Sequence, residues 1–282
     1  MNYNLFEKAE EINKWRTISC TEKLSEDFIR EHDEYLDWEG LSMNENLDLS
    51  LNFYREFKDK FIWRAVSDKH KLSENVIREF ADKVDWKIIS MKQQLSESFI
   101  REFSDRIDWD ILSRNSNLSE VFIRKFENKV NWDNISQYQN LSEDFIKEFS
   151  DKVNWMFISR YQKLSEDFIR EFSDKVDWAF ISGSQKLSED FIREFQNKVI
   201  WMFISLGQEL SENFIREFEN KIDWNHVVCN KRALFSEDMI RDHKSEISYW
   251  RNLLATHDLS KKFIEEFLDK FDKDQLLKRG YI

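Results

Sequence analysis

The sequence predicts an all-α fold, an α-solenoid of about twelve stacked 23-residue repeats, and three observations predict it. Tryptophans stand at 15, 38, 63, 86, 109, 132, 155, 178, 201, 224 and 250, and Trp63 to Trp224 spans 161 residues, seven steps of 23. A fixed period between 20 and 50 residues is the mark of stacked supersecondary units. Within each period the apolar residues fall at helical spacing, with no alternation of period two. The 282 residues include no proline and only four glycines, where average usage would supply about 14 prolines. That composition excludes collagen-like and Pro/Gly-rich disordered chains and leaves few of the turn residues a β fold spends.

One unit runs from Leu164 to Lys186 and predicts two helices. Leu164, Phe168, Phe172 and Val176 recur every four residues with Ile169 beside them, an apolar stripe that predicts the longer helix of the pair. Ser165 is placed to cap it, and Glu166 and Asp167 sit in the first turn, where the helix dipole favours anions. Glu166 with Arg170, and Glu171 with Lys175, are spaced as i,i+4 ion pairs. Asp177 then caps a second, short helix carrying Trp178 and Ile181. Units start near residues 1, 24, 49, 72, 95, 118, 141, 164, 187, 210, 235 and 259. They form one repeat domain, 1–282: a degenerate unit at 1–23, repeats at 24–258 and a capping repeat at 259–282, in which Lys273 takes the tryptophan position. A lone unit cannot bury its own stripe, so neighbours must stack, with the tryptophans in the shared core. Two seams are stretched, from Trp38 to Leu49 and at about 225–250, and are expected to hold loop insertions.

The unit Leu-Ser-Glu-x-Phe-Ile-Arg-Glu-Phe-x-x-Lys-Val-x-Trp-x-x-Ile-Ser resembles the tandem repeats of poorly characterised proteins of large DNA viruses and some phages, over nearly the whole chain. The resemblance implies an α-solenoid and a viral or phage origin, and it carries no catalytic residues. In outline the helix pair is also similar to leucine-rich variant repeats.

The net charge of −12 and a pI near 5.1 argue against a surface for nucleic-acid phosphates, so no direct nucleic-acid contact is expected. No apolar run is long enough for a membrane span, and no secretory leader is visible at Met1–Asn4. Cys20 and Cys229 are too few for a disulfide framework. The expectation is a cytoplasmic protein, in the host cytoplasm if viral. Gly183 and Gly207 match no phosphate-binding motif, and no cofactor is expected. His226, Cys229, His243 and His257 gather near the C-terminus, but at no zinc spacing. His243, like His32, occupies a position that is phenylalanine in other units, so these residues read as packing substitutions. The acidic rows recur in nearly every unit beside Arg and Lys and read as a solvated, paired face rather than catalytic carboxylates.

The positions that vary between units follow the tryptophan by one, five and six residues. Early units place mostly charged or amide groups there, such as Lys87, Asp110, Arg114, Asn115 and Asp133. From Tyr138 onward the strip turns apolar and amphipathic. Arg114, Tyr138, Met156, Arg160, Tyr161, Met202 and Leu206 are therefore the expected partner-binding residues, with Tyr138 beside Tyr161 and with Arg114, Gln137 and Arg160 stacked in successive layers. The expected function is a non-enzymatic scaffold that binds a protein partner, a viral or phage factor engaging a host protein. The alternative is an acidic DNA mimic. Duplex DNA carries one charge per ~1.7 Å, whereas twelve net charges along roughly 100 Å of stacked helix layers are about five times sparser.

Overall fold

The computed structural model describes residues 3–115 and 117–281. The chain divides into two compact units, Met1–Gln139 and Asn140–Ile282. Both are helical throughout. Among the described residues the only β pairing is an isolated parallel bridge between Leu210 and Ala233. The repeat is an α-solenoid module: a Ser-capped helix such as Glu166–Glu171, then a Trp helix such as Trp178–Ser184. Successive Trp helices pack directly on one another from Trp38–Met43 to Trp132–Tyr138 in the first unit and from Trp155–Tyr161 to Trp224–Val227 in the second.

The predicted caps form as bonds. Ser165 Oγ accepts from the Phe168 N–H, and Asp177 Oδ1 accepts from the N–H groups of Ala179 and Phe180. The Ser-capped helix is shorter than its stripe. It ends at Glu171, with Phe172 at φ −107° and ψ 28° as its C-cap, and the chain then turns through Ser173–Val176 while Val176 N–H still reaches the Phe172 carbonyl at 3.1 Å. The Trp helix, predicted to be the shorter, is longer by one residue. Leu164 lies before the cap and Ile169 four residues after it, so the pair occupies the positions of a hydrophobic staple rather than one helical stripe.

The core follows the repeat. Phe53, Phe99, Phe122, Phe145, Phe168, Phe191, Phe214 and Phe263 are fully buried, each worth roughly 1.5–3 kcal/mol in water excluded. The tryptophans are less buried than the sequence reading expected: Trp63, Trp224 and Trp250 are buried, and the others are half-buried. Trp155 shows why. Its ring packs on Phe168 and Phe172 of the next repeat, with centroids at 6.2 and 5.0 Å, so it does seal the seam. Its Nε1–H donates to the Ser150 carbonyl at 2.9 Å, and Lys175 Nζ lies 5.8 Å from the ring centroid. One edge thus stays at the surface to satisfy the indole N–H and receive the cation.

Three polar rungs join the repeat at 164–186 to the one at 187–209. Ser182 Oγ donates to the Trp178 carbonyl at 2.6 Å and accepts the Ile200 N–H of the next repeat at 2.9 Å. Gln208, buried, donates from Nε2 to the carbonyls of Ser182 and Gln185 at 2.9 and 2.8 Å, and its Oε1 accepts the Leu187 N–H at 3.1 Å. Glu166 accepts from both the N–H and the Oγ of Ser188. These rungs satisfy backbone groups that helix ends leave open. In one repeat the rung is rebuilt. His70 takes the glutamine position, and Tyr54 takes the place of the isoleucine found at Ile77 and Ile169. Tyr54 Oη lies 2.7 Å from His70 Nδ1, and His70 Nε2 lies 2.9 Å from the Leu41 carbonyl. Burial lowers the His70 pKa, so the ring is neutral; Nε2–H donates to Leu41 and Nδ1 accepts from the tyrosine hydroxyl.

The irregular regions have plain causes. Residues 1 and 2 of the first expected unit lie outside the described residues. The rest of that unit is one helix, Tyr3–Thr21, which packs on Trp38–Met43 as a Trp helix would. At the first stretched seam Asn44 caps Trp38–Met43 one residue early, and Leu47 is buried in the inserted loop. At the second, Trp224–Val227 is cut to four residues, and Leu234 N–H donates to the Leu210 carbonyl at 2.8 Å. The last repeat ends in Lys273–Lys278, capped by Asp272, with Lys273 exposed where a tryptophan would stand.

Candidate functional site

The Trp helix decides which residues face solvent. Its cap fixes the first turn, and Ile181 and Ser182, three and four residues after the tryptophan, are turned into the seam and buried. Positions one and five after the tryptophan then point outward. In the second unit Met156, Arg160, Tyr161, Met202 and Leu206 are all exposed. Arg160 Cζ lies 5.0 Å from the Tyr161 ring centroid and 5.1 Å from that of Phe180 on the next Trp helix. Phe157 packs on Tyr161 with centroids 6.2 Å apart. The guanidinium is therefore held between two rings, a flat cation–aromatic surface with its donors still free to turn outward. Met202 and Leu206 stand on the following Trp helix, and Ile200, also exposed, stands at its N-cap.

In the first unit Arg114 and Tyr138 are exposed, and Arg114 Cζ lies 6.0 Å from the Tyr138 centroid. This contact runs from an arginine on one Trp helix to an aromatic ring on the next, as Arg160 does with Phe180. The Asn115 side chain lies outside the described residues. Tyr138 belongs to the first unit and Tyr161 to the second.

The early units also expose apolar groups beside their charged and amide ones. Met43, Ile62 and Met91 are about half exposed on Trp38–Met43, Trp63–Lys69 and Trp86–Lys92. Ile62 was missed because the position before the tryptophan was read only as a cap. The signal was legible: Asp or Asn caps most Trp helices, and Ile62 and Ile200 break the rule and leave no side-chain cap bond.

The opposite face is laddered with charge. Arg170 donates to Glu194 of the next repeat at 2.8–3.0 Å, and Lys198 reaches back to Asp174 at 2.8 Å. Glu171, expected to pair with Lys175 in its own repeat, meets Lys147 of the preceding one at 2.6 Å, and Lys175 reaches Asp151. Hydrogen bonding to Arg170 holds the Glu194 carboxyl below its ordinary pKa, as Arg78 does for Glu102. Glu171, Glu194, Asp174 and Asp151 are thus committed to neighbouring cations.

His243 stacks on Trp224 with centroids 3.8 Å apart, and its Nδ1 lies 2.9 Å from Glu246. It fills the phenylalanine position as a ring, and His32 does the same against Phe28. His226 lies 2.9 Å from Asp223, the cap of its own helix, and Cys229 donates to the Asn225 carbonyl. Among the described residues no three His, Cys, Asp or Glu side chains are grouped to hold a metal ion. Among those residues, too, no helix is long and apolar enough to cross a membrane. No family model matches the chain, and neither a curated protein nor a solved structure does.

Proposed function

We propose that the chain is a non-enzymatic scaffold that binds a protein partner through the outward face of its Trp helices. The contact centres on Arg160 and Tyr161, with Met156 on the same Trp helix and Met202 and Leu206 two Trp helices further on. Arg114 and Tyr138 offer a contact of the same chemistry in the first unit. The observation that carries this reading is the set of exposed methionine, leucine, tyrosine and arginine on two Trp helices of one unit, Trp155–Tyr161 and Trp201–Gly207. Tyr and Arg are the residues that most often dominate binding energy, and a clustered exposed apolar surface marks interaction sites. The resemblance of the repeat to viral and phage arrays fits a factor that engages a host protein inside the cell. The acidic-mimic alternative is less well supported, because the carboxylates are paired with Arg and Lys of adjacent repeats.

The test is affinity capture from native cells with three baits: wild type, Arg160→Ala with Tyr161→Ala, and Glu171→Gln with Glu194→Gln. A partner recovered by wild type should be lost to the first variant, with the Tyr161 change alone costing more than about 1–2 kcal/mol of binding. It should be kept by the second. The reverse pattern, or displacement by duplex DNA with a steep salt dependence, would transfer the function to the acidic face.

A further inference from the structure

The first unit carries a second surface, separate from the Arg160–Tyr161 strip. A groove of about 560 Å³ runs across the Trp helices Trp38–Met43, Trp63–Lys69 and Trp86–Lys92. Met43, Ile62, Ala65, Ile88 and Met91 form its floor and walls. Three cations, Arg64, Lys69 and Lys87, and one carboxylate, Asp68, line its edges, a net of +2 on a chain whose total is −12. Asp68 is itself flanked by Lys69 and Lys92 at 3.7 and 3.8 Å, which blunts the one negative charge. Arg64 Nε is 4.0 Å from Asp85, and its side chain is 82% exposed, so it remains available.

Ile62 gives an independent reason to regard the groove as built. It sits at an N-cap, where Asp37 and Asp85 of the flanking repeats accept backbone N–H bonds, and it makes none. An apolar residue at a cap forgoes a stabilising bond, and Ile62 is 46% exposed, so it does not regain that loss by burial. Its place is the middle of the groove, between Met43 and Met91. Methionines beside such an anchor adapt to varied apolar partners.

We infer that this groove docks an amphipathic α-helix of a partner protein whose apolar face is flanked by acidic residues. Two helix-layer steps of ~8–10 Å make a channel roughly 20 Å long, which about 13 residues of α-helix fill at 1.5 Å each. The apolar floor takes the i, i+3 and i+7 side chains of such a helix. The cationic edge selects Asp and Glu over Lys and Arg beside them, against the repulsion the chain's overall charge imposes on any acidic ligand.

The probe is a fluorescein-labelled peptide of about 14 residues, with leucines at i, i+3 and i+7 and glutamates on both flanks. A twin carries lysine in place of glutamate. Titrated with the full chain, the Glu peptide should bind at least about tenfold more tightly than the Lys peptide. Ile62→Asn removes the anchor and restores the kind of cap that Asn131 and Asn154 provide. It should weaken the Glu peptide at least about tenfold while raising the thermal midpoint, a combination that damage to the fold does not produce. Arg160→Ala with Tyr161→Ala should leave this binding unchanged, so that failure here and failure of the strip are separable. Equal affinities for the two peptides, no binding of either, or an Ile62→Asn chain that binds as before would overturn the inference. So would concentration-dependent self-association abolished by Ile62→Asn, which would make a second copy the occupant.

Discussion

On one side of the repeat at residues 164–186, Arg170 grips Glu194 of the next repeat and Lys175 reaches Asp151 of the one before. On the other side, Ala179, Gly183 and Ser184 stand where the next repeat has Met202, Leu206 and Gly207. The Ser-capped side is periodic because charges such as Arg170, Glu171, Lys175 and Lys198 are halves of pairs whose other halves lie one repeat away; a change at one position orphans a partner. The Trp-helix surface has few such obligations. Gly183 illustrates the latitude, since an added Cβ would meet Phe203 only at 3.5 Å, an ordinary contact. Periodicity in this chain therefore reports contact between repeats, and departures from it report surfaces free to serve something else.

Three changes sharpen that contrast, in descending order of effect. Phe168→Ala empties a position buried on both sides of a seam and should cost about 3–5 kcal/mol in denaturant unfolding. A loss under about 1 kcal/mol would mean that the seam is not the core. Gln185→Ala strips a rung: the Leu164 N–H and the Ser159 and Gln162 carbonyls lose their side-chain partner, for about 1–3 kcal/mol. A neutral result would show that water replaces the amide without loss. Met202→Ala, on the outward face, should stay within about 0.5 kcal/mol of wild type in the same unfolding experiment. A larger cost there would erase the distinction between the two surfaces.

Much of this was legible beforehand, because a repeated sequence is its own alignment. The period, both helix caps, the stretched seams and the outward positions at Arg160 and Tyr161 all follow from spacing. The helix lengths did not. Phe172 and Val176 keep an apolar spacing of four whether the chain between them is a helix or a tight turn, and no Gly or Pro marks the stop at Glu171. The glutamine rungs were missed for a different reason. A polar residue ahead of Lys186 and Leu187 reads as loop until its three partners, Leu164 at the start of its own repeat and Ser159 and Gln162 in the preceding one, are brought to it by the fold. The i,i+4 reading of Glu171 with Lys175 erred similarly, whereas the Glu–Arg pairs form within several Ser-capped helices: helix spacing alone cannot show that the neighbouring repeat offers Lys175 and Glu171 nearer partners. Ile62 lay in plain view but needed the caps of its neighbours to stand out.

The rungs of Ser182, Gln208 and Glu166 run crosswise, from one repeat to the next. A chain held at its ends would meet load through these links rather than through one shared interior. Each repeat released from its neighbours would free 23 residues, at most ~80 Å of contour when fully drawn out. Under tension the molecule should lengthen in even increments and re-form behind a relaxing force. That response is that of an elastic element with a built-in step, graded rather than all-or-none.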